Sequence, residues 1–101
     1  MSQTAPVAPS TDSVRAWYDQ ALVEDAMVYD ITREAATVLS SLLLTRMSEA
    51  TDDGAREHWA ARRRLVKQQT KALDPADRAG LIAQQQAWVH EAQALTDLPL
   101  T

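Results

Sequence analysis

The sequence has no cysteine, no phenylalanine and only two glycines among its 101 residues. Without cysteine the chain cannot form a disulfide, bind a metal through thiolates or use a thiol nucleophile. Two glycines are too few for the glycine-rich loops that bind phosphate in P-loop and dinucleotide-binding proteins, which excludes those folds. Long hydrophobic runs are also missing, since no stretch approaches the roughly 18 uncharged apolar residues of a membrane-spanning helix. We therefore expect no interaction with a membrane.

The residues that are abundant favour helices. Eighteen alanines and eleven leucines stand beside an aromatic content of only 5%. Alanine and leucine have high helix propensity, whereas strands prefer β-branched and aromatic residues. A length of 101 residues is enough for one domain with one core. The composition predicts a single all-α domain.

Glycine and proline positions divide the chain into three helical segments. Neither residue occurs between Thr11 and Asp52, so the first helix can be long. Asp74 followed by Pro75 matches a helix start, with Asp as N-cap and Pro at the first helical position. The expected fold is a three-helix bundle with a long first helix and a helical hairpin. Its helices are expected over 13–50, 54–73 and 75–96.

The two ends of the chain differ from this helical domain, which we place at 13–97. Residues 1–12 are small and polar, and they lack the basic start and apolar centre of a signal peptide. We expect a disordered arm over 1–12, a flexible end over 98–101 and a cytoplasmic protein. The high alanine content and an excess of arginine over lysine hint at a bacterial source.

Helical periodicity predicts which side chains form the core. Successive helix residues lie 100° apart, and apolar residues recur on one face of each segment. The face of the first helix widens toward its C-terminal half, where Leu42 and Val38 are added to it. We expect the centre of the core to contain Leu39, Leu43, Trp59 and Trp88.

The first helix is much longer than its partners. A continuous helix over 13–50 would measure about 57 Å, against about 30 Å for each of the others. In an antiparallel hairpin, residues 14–31 would project past the second helix. Either the helix breaks near Asp30–Thr32 and folds back, or a second copy of the chain or another protein covers its apolar face.

The projecting segment contains three of the five aromatic residues of the chain. Tryptophan and tyrosine are enriched at the centres of protein interfaces. Asp25 lies within the same face, where it is either a structural ion-pair partner or a point at which a basic side chain of a partner enters. The predicted partner-binding residues of this segment are Trp17, Tyr18, Leu22, Asp25, Val28 and Tyr29.

Charge is concentrated on the second helix. Residues 12–53 contain nine acidic and three basic residues, whereas residues 55–73 contain one acidic and six basic residues. Five of these cations fall on one face, which is either a solvated surface or a docking surface for an acidic protein or for phosphates. Nucleic acid is the less favoured of those partners, because the chain has a net charge of −4. These five are Arg56, Arg63, Arg64, Lys67 and Lys71.

No motif indicates catalysis, a cofactor or a metal. Both histidines, His58 and His90, adjoin a glutamate, but neighbouring helix residues point about 100° apart and cannot grip one ion. We therefore expect a non-enzymatic protein–protein interaction module without metal or cofactor. Its most specific form is an antitoxin-like inhibitor of a partner enzyme. The alternatives are a small nucleic-acid-binding regulator that uses the basic second helix and a purely structural homo-oligomer.

Overall fold

A computed structural model describes the backbone of residues 11–97 and the side chains of residues 23–97. This part of the chain forms three helices and no strand, in the order α1 (Thr11–Glu49), α2 (Asp53–Lys71) and α3 (Arg78–Asp97). The all-α three-helix prediction is confirmed. Helix α1 is continuous, so the expected alternative of a break near Asp30–Thr32 does not occur. Apart from Thr11 and Asp12, the predicted arm and flexible end lie outside the described residues.

Helix α1 supports the whole bundle, because it packs against both α2 and α3. The direction of α3 follows from two hydrogen bonds. Thr32 Oγ1 donates to the carbonyl oxygen of Leu81 at 3.3 Å, and Arg46 donates to that of Leu95 at 2.6 Å. Both pairs are 49 residues apart in sequence. The constant offset means that α3 runs parallel to α1.

Helix α2 returns antiparallel to α1 after a short turn. The turn ends at Asp52, whose side chain accepts the backbone N–H of Ala55 at 2.8 Å and so caps α2. Further along, Arg63 Nε lies 3.4 Å from the carbonyl oxygen of Ser40. With α2 antiparallel and α3 parallel, the three helices share one core along the C-terminal half of α1.

The start of α3 differs from the sequence prediction. Asp74 and Pro75 form a tight turn in which the backbone N–H of Asp77 donates to the carbonyl oxygen of Asp74 at 3.0 Å. Asp77 then acts as the cap, with its side chain accepting the N–H of Gly80 at 3.0 Å. The aspartate three residues further along therefore replaces Asp74 as the cap, and α3 begins at Arg78 rather than at Pro75.

The core is small and lies where the three helices meet. Leu39, Leu43 and Trp88 are fully buried there, as predicted, together with Val66 of α2. Trp59 packs against this cluster and is only partly buried. Burying these side chains drives the folding of the domain, because each contributes about 1.5–3 kcal/mol when it is removed from water.

Candidate interaction surface

An open groove runs between α1 and α3 on the side of the bundle away from α2. Its volume is about 390 Å³. Ile31, Val38 and Leu42 of α1 form one wall, and Val89 and Ala92 of α3 form the other. These side chains leave the floor and walls of the groove mainly apolar. A groove of this kind suits the apolar face of another helix.

The rim of the groove is polar. Glu34 lies on the α1 side, and Gln85, Gln93 and Thr96 lie on the α3 side. An apolar centre inside a polar rim is the usual arrangement of a protein-binding surface. The rim groups can donate or accept hydrogen bonds at the edge of whatever covers the groove.

Exposed hydrophobic side chains are concentrated around this groove. Among the side chains that the structure describes, eight large hydrophobic ones are exposed, with exposed fractions of 37–56%. Ile31, Val38 and Val89 line the groove, whereas Leu44 and Leu65 lie on other faces. The remaining three continue the same stripes of α1 and α3 beyond the groove at helical spacing. Single exposed hydrophobic residues are ordinary, whereas a contiguous set indicates a binding surface. We call these six the groove face: Val23, Met27, Ile31, Val38, Ile82 and Val89.

Helix geometry explains why these residues stay outside the core. On α1, residues Thr32, Leu39 and Leu43 are buried between α2 and α3. Val38 lies about 100° further round the helix than Leu39, beyond the edge of α3. The prediction that Val38 widens the core face is therefore wrong, because this side chain is 49% exposed.

The start of α3 and the turn before it contact the predicted aromatic segment of α1, which the sequence had placed beyond the other helices. Arg78, at the start of α3, lies 3.2 Å from Asp25. The turn before α3 also reaches α1, since Pro75 and Ala76 line a cavity of about 390 Å³ with Tyr29. The later part of the segment predicted to project past the second helix is therefore contacted by the start of α3, and residues 11–23 extend past that point.

Within this segment, three predicted partner-binding residues have described side chains. Asp25 is half-buried in its ion pair with Arg78, which agrees with the structural alternative for this carboxylate. Val28 and Tyr29 are also half-buried. The Arg33 guanidinium lies over the Tyr29 ring, 5.7 Å from its centroid.

The other three predicted residues of this segment precede residue 23. Trp17, Tyr18 and Leu22 belong to the helical backbone of α1, but their side chains lie outside the described residues. Their assignment to a binding surface stays a prediction.

The basic residues of α2 do not form one free face. Arg56 pairs with Asp53 at 2.7 Å, and Arg64 pairs with Glu57 at 2.5 Å. Arg63 is half-buried and points to the backbone of α1, which differs from the expectation that it faces solvent or a partner. The two lysines of this face, Lys67 and Lys71, are exposed.

An ion pair connects α2 and α3. Arg62 donates through Nε and one terminal nitrogen to the two carboxylate oxygens of Glu91, at 2.8 and 2.5 Å. The hydrogen bond to Glu91 raises the pKa of Arg62 above its ordinary value, against an opposing effect of burial. Both side chains keep roughly 30% of their surface exposed. This pair fixes the two helices at the side of the core opposite the groove.

The two histidines lie on the surface of α2 and α3. His58 and His90 are both exposed, and His58 contacts the edge of Trp59. In the described part of the chain, no group of three or more His, Asp or Glu side chains could hold a metal ion. None of the described helices combines the length and the apolar character needed to cross a membrane.

No protein-family model matches this chain, and no curated protein or solved structure is significantly similar to it. The function is therefore argued from the groove and the residues around it.

The groove face is not among the surfaces predicted from the sequence. A signal for it is present, because Met27, Ile31 and Val38 are separated by four and seven residues, and Ile82 and Val89 by seven. This spacing marks a second apolar stripe on each helix. Only the parallel pairing of α1 with α3 brings the two stripes together.

Proposed function

We propose that this chain is a non-enzymatic protein–protein interaction module that binds a helix in the groove between α1 and α3. The observation that carries this proposal is that three of the eight exposed large hydrophobic side chains among the described residues, Ile31, Val38 and Val89, line the groove. The other three residues of the groove face continue the same helical stripes beyond it. Their exposure in the isolated chain is unfavourable by about 25 cal/mol for each Å² of apolar surface left in water. Covering the groove face recovers part of that free energy and provides the driving force for binding.

The shape of the groove specifies the chemistry of the partner. Two parallel helices leave an elongated channel, which fits an amphipathic helix with apolar side chains at positions i, i+4 and i+7. Glu34 and the glutamines of the rim select polar or basic residues at the flanks of that helix. The exposed aliphatic side chains Ile31, Val38 and Val89 are the expected centre of binding.

An antitoxin-like inhibitor is the most specific form of this function. In that form the module, acting in the cytoplasm, covers or distorts the active site of a partner enzyme. Stoichiometric addition of the module should then abolish the activity of the purified partner. Binding without loss of activity identifies an adaptor instead.

A nucleic-acid-binding regulator is supported less well by the charge distribution. Three of the five predicted cations, Arg56, Arg63 and Arg64, already interact with groups of the chain itself. Two results together would favour that function over the one proposed. The chain would bind DNA at low salt with an affinity that falls steeply as salt is added, and the binding would be lost when Lys67 and Lys71 are both changed to Glu.

Photo-crosslinking from defined positions tests the proposed function. A photoreactive amino acid replaces Val38 in one variant and Leu44 in a control, since both lie on α1 with exposed fractions of 49% and 46%. In the native host, the variant at position 38 should crosslink to a specific protein and the variant at position 44 should not.

The crosslinked protein is then purified and its affinity for the chain is measured. Val38→Glu should weaken binding at least tenfold, and Leu44→Glu should leave it unchanged. Equal crosslinking from both positions, or equal affinity of both glutamate variants, contradicts the assignment of function to the groove face.

A further inference from the structure

We infer that the groove between α1 and α3 binds residues 11–23 of α1 from a second copy of the chain, in an antiparallel two-fold dimer. This inference rests on the proposed function and names the partner. The dimer pairs two parts of α1: the groove that its C-terminal half forms with α3, and the backbone of residues 11–23 that projects at its N-terminal end.

The lengths of these two features match. Residues 11–23 extend past the start of α3 and measure about 20 Å along the helix axis. The α1 wall of the groove, from Ile31 to Leu42, measures about 18 Å. A helix segment and a groove of equal length can cover each other completely.

The position of the two-fold axis follows from the centres of the two segments. The projecting segment is centred at residue 17 and the α1 wall is centred between residues 36 and 37. An antiparallel pair that superposes these centres has its axis at about residue 27. Met27 lies there, and at 56% it has the largest exposed fraction among the described large hydrophobic residues that are exposed. In this register, Val23 of each copy lies opposite Ile31 of the other.

The sequence of α1 supports pairing along this side. Trp17, Ile31 and Val38 are separated by whole heptads, so their backbone positions fall on one face of a helix that pairs with another. Trp17 then comes opposite the stretch between Glu34 and Val38. The groove, which has a volume of about 390 Å³ over its whole length, passes this level.

A second copy covers more of the molecule than a single foreign helix does. A foreign helix in the groove leaves residues 11–23 without support, and a helical segment of that length is marginally stable in water by itself. The antiparallel dimer places both projecting segments in grooves. The paired region, residues 11–42, is about 48 Å long and about 10 Å wide. Together with the α3 wall, this approaches the roughly 800 Å² per partner of a standard stable interface.

Sedimentation equilibrium of the full chain at micromolar concentration tests the inference. The wild type should be a dimer. Val38→Glu and Val89→Glu should each raise its dissociation constant at least tenfold, while the matched control Leu44→Glu should not. Circular dichroism checks that the variants keep their helical content.

Crosslinking tests the register. The chain has no cysteine, so Met27→Cys provides a single thiol near the axis and Leu44→Cys provides one far from it. A short bis-maleimide should join two copies of the Met27→Cys variant and leave the Leu44→Cys variant uncrosslinked.

A monomeric wild type overturns the inference. Equal crosslinking of the two cysteine variants, or a dimer whose dissociation constant is unchanged by both Val38→Glu and Val89→Glu, overturns it as well. If the chain is monomeric but position 38 crosslinks to a different protein in the host, the proposed function stands and this choice of partner fails.

Discussion

Leu43→Ala probes the packing of the core at its centre. Leu43 is fully buried in the cluster that contains Leu39, Val66 and Trp88. The substitution removes three carbon atoms, which accounts for about 2.4 kcal/mol of lost transfer free energy. If about 50 Å³ of the space stays open, the remaining cavity adds about 1.2 kcal/mol. The expected loss in free energy of unfolding is therefore about 3–4 kcal/mol.

The neighbouring leucine provides a matched control. Leu44 is 46% exposed, so Leu44→Ala removes the same atoms from a site that is already half in water. Its expected cost is below about 1 kcal/mol, because less transfer free energy is lost and no cavity forms. Urea denaturation followed by circular dichroism measures the free energy of unfolding of both variants. A loss at Leu43 no larger than that at Leu44 would refute the assignment of the two faces of α1.

Three further predictions concern contacts between and within the helices, and urea denaturation measures each of them. Thr32→Val should lower the free energy of unfolding by about 1 kcal/mol, since it removes a buried hydroxyl whose single proton is shared between the carbonyl oxygens of Val28 and Leu81. Thr32→Ser should keep this hydrogen bond. Asp77→Ala should lower it by about 1 kcal/mol through loss of the cap of α3, and Asp74→Ala should cost less. A double-mutant cycle on Arg62 and Glu91 should give a coupling of about 1 kcal/mol, because the pair is partly exposed. A coupling near zero would show that this pair does not hold α2 and α3 together.

Local sequence rules account for most of the fold. The absence of glycine and proline between Thr11 and Asp52 predicts one long helix, and that helix is continuous. Periodicity also identifies the buried residues Leu39, Leu43 and Trp88. The start of α3 was displaced by three residues, since Asp74 and Asp77 are both good caps and only the turn between them decides which one is used.

The candidate surface depends on information that periodicity does not contain. The side of α1 on which α3 packs decides whether Val38 faces the core or the groove, and contacts between residues 49 positions apart, such as Thr32 to Leu81, set that side. The same contacts bring Val89 beside Val38. Arg63 was assigned to a solvated face for a related reason, because its hydrogen bond reaches another helix.

Cysteine labelling tests most directly the central claim that the groove face is covered in the working protein. Val38→Cys and Leu44→Cys place thiols at two sites of nearly equal exposure on one helix. In the dilute isolated chain, a maleimide should label both at similar rates. In cells of the native host, the Val38→Cys thiol should react at least tenfold more slowly, while labelling of the Leu44→Cys thiol should be unchanged. Equal labelling of the two thiols in those cells would contradict the claim.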